Sequence, residues 1–207
     1  MSLRDRLVPA IYDLMGGPIE KKPLIVDNRR KLLAPAEGRV LEVGAGTGFN
    51  LPHYPAGADE LTLTDGMDGM LRRARKRAER VGRKVETTTA SVESLPFEDA
   101  SFDTVVASLL LCSVDDQDRA LGEIRRVLKP GGRYLFLEHV RSDDEKIAGR
   151  QDRLEGLWKT LVMGCHPNRD TLPRIEAAFA VDEVERDVLP MGPKIVRPYV
   201  LGRAVRR

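Results

Sequence analysis

The sequence predicts an α/β fold, a mostly parallel seven-stranded sheet with helices on both faces and an antiparallel strand pair at the carboxyl end. Three observations predict it. From residue 39 onward apolar segments alternate between strand and helix periodicity. The first of these strands runs directly into glycines, and the last two extended segments are joined by a Pro/Gly-containing turn. With 207 residues and 23.1 kDa, the chain has the size of one domain spanning 1–207.

Taken in order, Leu3, Leu7, Ile11 and Leu14 recur at helical spacing, so an amphipathic helix is expected despite Pro9. It belongs to a helical cap over 1–36, serving either as packing or as a lid. Strands are expected at Arg39 to Val43 and at Leu61 to Thr64, with a helix between them that begins near Thr47. Asp68 to Arg80 reads as a helix with Met70, Leu71, Ala74 and Ala78 inward. Val85 to Ala90 is a third strand. Phe102 to Leu111 is a fourth, and its nearly unbroken apolar run places it at the sheet centre.

Asp115 and Asp116 open a helix through Val127, which Lys129-Pro130-Gly131-Gly132 terminates. Arg133 to His139 is the fifth strand. The next forty or so residues exceed a simple loop, and helices at Glu145 to Leu161 and Leu172 to Phe179 fill a substrate-side insertion over 140–180. Val181 to Val188 and Lys194 to Val205 form the closing antiparallel pair.

Composition narrows the function. No run approaches the roughly 18 apolar residues of a membrane-spanning helix, and the amino terminus lacks a secretory pattern. Two cysteines are too few for a disulfide framework, so a cytoplasmic location is expected, with peripheral membrane contact left open. A net charge of +2 gives no global field for nucleic acid. The basic run Arg72 to Lys84 is read as a solvated helix face, with nucleic acid or acidic lipid as the minority reading.

Chemistry concentrates at Leu41-Glu42-Val43-Gly44-Ala45-Gly46-Thr47-Gly48. Glycines between a strand and a helix let backbone approach a nucleotide-like ligand. Asp65 falls 21 residues after Gly44, at the end of the next strand, where a carboxylate accepts from both hydroxyls of a ribose. Phe49 stands where the dinucleotide fingerprint requires glycine or alanine, which disfavours a nicotinamide cofactor.

With Glu42 ahead of the glycines, LEVGAGTG resembles the first motif of class I methyltransferases that use S-adenosyl-L-methionine. The resemblance implies a Rossmann-like fold, that cofactor, and a place for Gly44, Gly46 and Gly48 beside its methionine moiety. It also implies that Asp65 holds the ribose and that Glu42 orders the loop and reaches the cofactor ammonium through water. Ala45, Asn50 and Ser108 join the implied cofactor set. Ser91 to Phe97, followed by Ser101-Phe102-Asp103, resembles the adenine-side segment, although relatives commonly carry aspartate where Ser91 stands. There Ser91 and the Val92 N–H would meet the adenine edge, and Gly66 and Met67 its face. Ser91 as a turn residue and Met67 as packing remain open. Asp103 and Leu128-Lys129-Pro130-Gly131-Gly132, also frequent in the family, mark architecture.

Leu111-Cys112-Ser113-Val114, Leu137-Glu138-His139-Val140 and Val196-Arg197-Pro198-Tyr199, with Gly164-Cys165, resemble the alkyl-thiol methyltransferases. This implies methyl transfer to a small hydrophobic acceptor, a thiol favoured. Phospholipid N-methylation and quinone-pathway C-methylation are the alternatives within the class. A module that binds the cofactor or nucleic acid without catalysis is the alternative outside it. His139, at a strand end, binds the acceptor, accepts a proton, or fixes backbone. Cys112 and Arg197 lie on the substrate side, with core packing and a structural salt bridge as their plainer roles. Cys165 and His166 are adjacent without further ligand spacing, so no metal site is expected. Trp158, Leu161 and Met163 suggest an apolar pocket or helix packing.

Overall fold

The computed structural model describes residues 3–162 and 164–207. Its seven-stranded sheet has the order β3-β2-β1-β4-β5-β7-β6. The strands are β1 (Gly38–Val43), β2 (Ala58–Asp65), β3 (Glu86–Thr89), β4 (Phe102–Ser108), β5 (Leu128–His139), β6 (Ala180–Val188) and β7 (Pro198–Val205). β1 to β5 run parallel, while β7 pairs antiparallel with both β5 and β6. The helices are α1 (Leu3–Gly16), α2 (Pro23–Leu33), α3 (Asp68–Arg80), α4 (Gln117–Val127), α5 (Glu145–Leu161) and α6 (Thr171–Ala178).

Strand alternation sorts the core into two layers. Leu41, Val105 and Phe136 join Leu121 and Ile124 of α4 on one face. Val40, Val106 and Leu135 join Leu32 of α2 and Leu71 of α3 on the other. β4 lies at the centre, as its apolar run predicts. The edge strand β6 carries Asp182, Glu183, Glu185, Arg186 and Asp187, charges that discourage further strand addition.

Several expectations are corrected. The segment after β1 has no α-helix at Thr47; it holds only a 3-10 turn at Leu51–His53. Gly48 takes a positive φ of 81°, and Pro52 and Pro55 prevent a ladder of backbone hydrogen bonds from propagating. β4 stops at Ser108, three residues early, because Leu109 turns into the left-handed region at φ 58°. β5 begins earlier than expected, at Leu128, and pairs irregularly with β4 around Phe102 to Thr104. The final segment splits into a 3-10 turn at Lys194–Val196 and β7.

α1 forms, but its apolar stripe does not face inward. Leu3, Leu7, Ile11 and Leu14 are 70%, 49%, 52% and 77% exposed, whereas Pro9 is buried. The helix seats instead on the first turn of α3: a Cβ added at Gly69 would stand 2.1 Å from the Asp5 carbonyl oxygen, so only glycine permits this approach. Arg73 and Arg77 of α3 then pair with Asp13 of α1. The basic run is therefore more than a solvated face. Arg77 also donates to the Thr47 carbonyl and stacks 4.1 Å over the Phe49 ring, and Arg83 donates to the Tyr54 carbonyl.

Candidate active site

β1 and β4 are neighbours, with Val43 opposite Ala107, while the chain passes from β1 outward to β2. This is the point where strand order reverses, and the loops beyond its carboxyl ends open the crevice in which such sheets bind ligands. The glycine loop leaves β1 there. Ala45 N–H donates to the Thr64 carbonyl, and Gly46 N–H donates to Asp65 Oδ2 at 3.0 Å. Asp65 Oδ1 accepts from Met67 N–H at 2.9 Å. Burial raises the Asp65 pKa against these two donors. Each oxygen keeps a lone pair for a hydroxyl.

The loop glycines divide by cause. A Cβ at Gly44 would meet Leu110 Cδ1 at 2.5 Å, and one at Gly48 would meet Leu51 and the Ala74 backbone, so packing and positive φ require both. At Gly46 the nearest group is the Tyr12 ring of α1, 3.6 Å from such a Cβ. Tyr12 thus closes over the loop, and burial pushes its hydroxyl up to about 12, keeping it a neutral phenol. Around Gly66 an added Cβ would meet nothing within 4 Å, which leaves an open flank beside Asp65.

Beneath the loop Glu42 is buried, with Oε1 accepting from Asn50 Nδ2 and Oε2 from the Tyr54 hydroxyl, both at 2.8 Å. Desolvation pushes its carboxyl up to about 7 despite these donors. Sequence reasoning missed the next layer. Arg29 of α2 is buried, grips Glu20 with two hydrogen bonds, and donates to Asn50 Oδ1 and, at 3.4 Å, to Ser108 Oγ. It ties the cap to the loops after β1 and β4. No motif marks it, because Arg29 stands in the run Asn28-Arg29-Arg30-Lys31, which reads as a solvated face.

In the segment after β3, Ser91 Oγ accepts from Glu93 N–H, which gives Ser91 its turn role, while Val92 is buried. Glu93 Oε1 accepts from the N–H groups of Asp115 and Asp116 ahead of α4.

The turn after β4 is organised by Glu138, fully buried near the end of β5. Its Oε1 accepts from Leu110 and Leu111 N–H, and its Oε2 from Cys112 N–H at 3.3 Å. These bonds bend the chain after β4. Burial pushes the carboxyl up to about 7 against the three donors. The signal was an acid inside the apolar string RYLFLEH.

Cys112, His139 and Cys165 converge although distant in sequence, their ligand-type atoms all lying within 4.8 Å of one another. Cys165 Sγ sits 3.9 Å from His139 Nδ1. The neighbouring Cys165 thiol and burial raise the Cys112 pKa, while the contact with Cys112 lowers that of Cys165. His166 turns elsewhere, pairing with Glu155, and its backbone N–H donates to the Cys112 carbonyl at 2.7 Å. Arg197 stands apart: its Nε donates to the Gly192 carbonyl, bracing the turn before β7, and among the described residues it forms no salt bridge. Leu161 is exposed and Trp158 lies beside Cys165, so the suggested apolar pocket reduces to Trp158; Met163 lies outside the described residues.

Comparison with known proteins matches residues 41–136 to a family described as methyltransferase domain. The thiol S-methyltransferase TMT1A of Homo sapiens is 32% identical over 191 residues, 90% of this chain and 78% of the relative. The chain belongs to the class I S-adenosylmethionine-dependent methyltransferases. A phosphatidylethanolamine N-methyltransferase of Cereibacter sphaeroides is 34% identical over 89% of this chain and 88% of its own. In fold, the chain superposes on the N-methyltransferase NodS of Bradyrhizobium japonicum, solved with S-adenosylhomocysteine, with a TM-score of 0.70 at 17% identity, covering 91% and 90% of the two chains. This methyltransferase has no described helix long and apolar enough to cross a membrane.

Proposed function

We propose that this methyltransferase transfers the methyl group of S-adenosylmethionine to a small hydrophobic thiol. One observation carries the acceptor: the likeness to a thiol S-methyltransferase extends over 90% of the chain, well beyond the 41–136 family match that holds Cys112 and into the segments around His139 and Cys165. The whole of 1–207 acts as one catalytic unit in the cytoplasm, with 1–36 as its cap and 140–180 as its acceptor-side insertion.

The residues present fit the cofactor. Asp65 retains acceptor capacity on both oxygens, and the flank at Gly66 is open. In this reading Asp65 takes the ribose hydroxyls, Gly44, Ala45, Gly46 and Gly48 border the methionine portion, and Val92, Ser91 and Met67 border the adenine. Glu42, Asn50, Arg29 and Ser108 keep the loops in place. S-adenosylmethionine supplies an electrophilic methyl group on a positive sulfur.

The chain's own work is alignment and exclusion of water. Tyr12 covers the glycine loop, and Glu138 fixes the 110–112 turn so that the acceptor wall is formed before binding. In this reading a thiol, with a pKa of about 8.5, needs little help to ionise, and His139 belongs to the groups that hold its sulfur.

A lipid amine is the second reading, favoured by the 88% coverage of the phosphatidylethanolamine relative and by the exposed apolar stripe of α1. An acceptor panel separates them: labelled cofactor is offered with an alkyl thiol, an aryl thiol, phosphatidylethanolamine vesicles and a quinol. The thiol reading predicts label in thioether. Label confined to lipid or quinol overturns it.

A further inference from the structure

Cys112, His139 and Cys165 come from three different places: the turn after β4, the end of β5 and the loop between α5 and α6. Two sulfurs and one imidazole nitrogen within 4.8 Å form a donor set for a soft or borderline cation, and no carboxylate is among them. A tetrahedral zinc site, with bonds of about 2.3 Å to sulfur and about 2.0 Å to nitrogen, brings such ligands to separations of roughly 3.5 to 3.8 Å. Cys165 Sγ and His139 Nδ1, at 3.9 Å, are nearly there, and the other pairs lie within 4.8 Å.

The surroundings suit a bound cation. Two thiolates and a neutral imidazole neutralise a divalent charge, so the centre tolerates its apolar neighbours Leu111, Val114 and Val140. The Trp158 indole N–H is buried beside Cys165 and has no other hydrogen-bond partner, so a thiolate there would accept from it. Cys112 is held from both sides of its backbone, by Glu138 at its N–H and by His166 at its carbonyl. His139 is only half-buried, which leaves a path for entry.

We propose that Cys112, His139 and Cys165 bind a soft divalent cation of the zinc class, and that its open fourth position takes the acceptor sulfur as a thiolate. The cation half stands on the three ligands; the acceptor half rests on the thiol reading above. Three protein ligands with one open position is the arrangement of catalytic zinc, and a coordinated thiol is deprotonated outright. The thiol releases its proton to solvent as the metal–sulfur bond forms. A sulfur lone pair then forms the new S–CH3 bond while the sulfonium–methyl bond breaks, its electron pair passing to the sulfur of S-adenosylhomocysteine. The neutral thioether is a poor ligand and departs.

The test is optical titration of the full, reduced, chelator-treated chain with Co2+, followed by Zn2+ competition. Expected are a sulfur-to-cobalt charge-transfer band that saturates at one equivalent, intense tetrahedral d–d bands that an added alkyl thiol shifts, and displacement by Zn2+. C112S and C165S should each reduce the charge-transfer band by about half, and H139A should weaken cobalt affinity at least tenfold. Absence of the band in wild-type protein that binds S-adenosylhomocysteine overturns the cation site without needing any variant to fold. If the band forms but alkyl thiol leaves the d–d spectrum unchanged, and thiol turnover survives chelation, the acceptor half is overturned. Methylation of thiols without cobalt binding leaves the thiol reading intact, whereas cobalt binding without thiol methylation removes that reading and keeps the cation.

Discussion

Asp65 Oδ2 accepts the Gly46 N–H at 3.0 Å, so the acid that ends β2 and the glycine loop that leaves β1 are one hydrogen-bonded unit. Through Oδ1 the same carboxylate orders Met67, the residue that caps α3. The walls of the crevice are therefore mutually positioned before any ligand arrives, which lowers the ordering cost of binding.

Glu42 makes stability depend on pH. Its folded pKa of about 7 lies above the ordinary 4.5 because of desolvation. Its contribution is fully present below 4.5, where both states are protonated, and declines as pH rises from there to about 7, since the unfolded chain ionises first. The decline is on the order of 3 kcal/mol. Glu138, raised to about 7 for the same reason, adds a decline of similar size over the same range, so urea denaturation across pH 4.5 to 8 should show both, and Glu42→Gln should remove about half of that slope.

Glu138 should be costly to lose. Glu138→Ala leaves the Leu110, Leu111 and Cys112 N–H groups without their acceptor in a buried turn, a loss of roughly 2–4 kcal/mol. Glu138→Gln, which retains one acceptor oxygen, should lose about half as much. Equilibrium denaturation of the two variants compares them directly, and equal stability of Glu138→Ala and wild type would refute this role.

The cap is held by charge as much as by packing. A double-mutant cycle on Asp13→Asn and Arg77→Gln should give a coupling of about 0.5–1 kcal/mol, modest because both side chains are partly solvated. Either variant should also speed proteolytic cleavage between α1 and α2. Unchanged cleavage would show that the cap docks without this pair.

Much of this architecture was legible in the sequence, and the failures are physical. Asp68 to Arg80 was read to the residue because its apolar spacing matches the face that packs on the sheet. The expected helix at Thr47 failed because the glycine and proline spacing that makes the loop also forbids the helix. In α1 the stripe at Leu3, Leu7, Ile11 and Leu14 was visible, but periodicity does not say whether a partner covers it, and here α3 meets Asp5 and Asp13 instead, while Tyr12 lies against Phe49. Glycine loop and Asp65 were readable from spacing alone. Arg29 and Glu138 were not singled out, because their importance lies in what they bury against. Cys112, His139 and Cys165 are joined only by tertiary structure, so no linear spacing announces them.

Calorimetric titration with S-adenosylhomocysteine, run beside NAD and repeated on Asp65→Ala, tests the central claim most directly. Saturable binding of S-adenosylhomocysteine alone is predicted, weakened in Asp65→Ala by about 2–3 kcal/mol, or roughly 30- to 160-fold, through loss of the charged acceptor and of the Gly46 and Met67 anchors. Binding of NAD instead, or undiminished affinity in a folded Asp65→Ala variant, would contradict it.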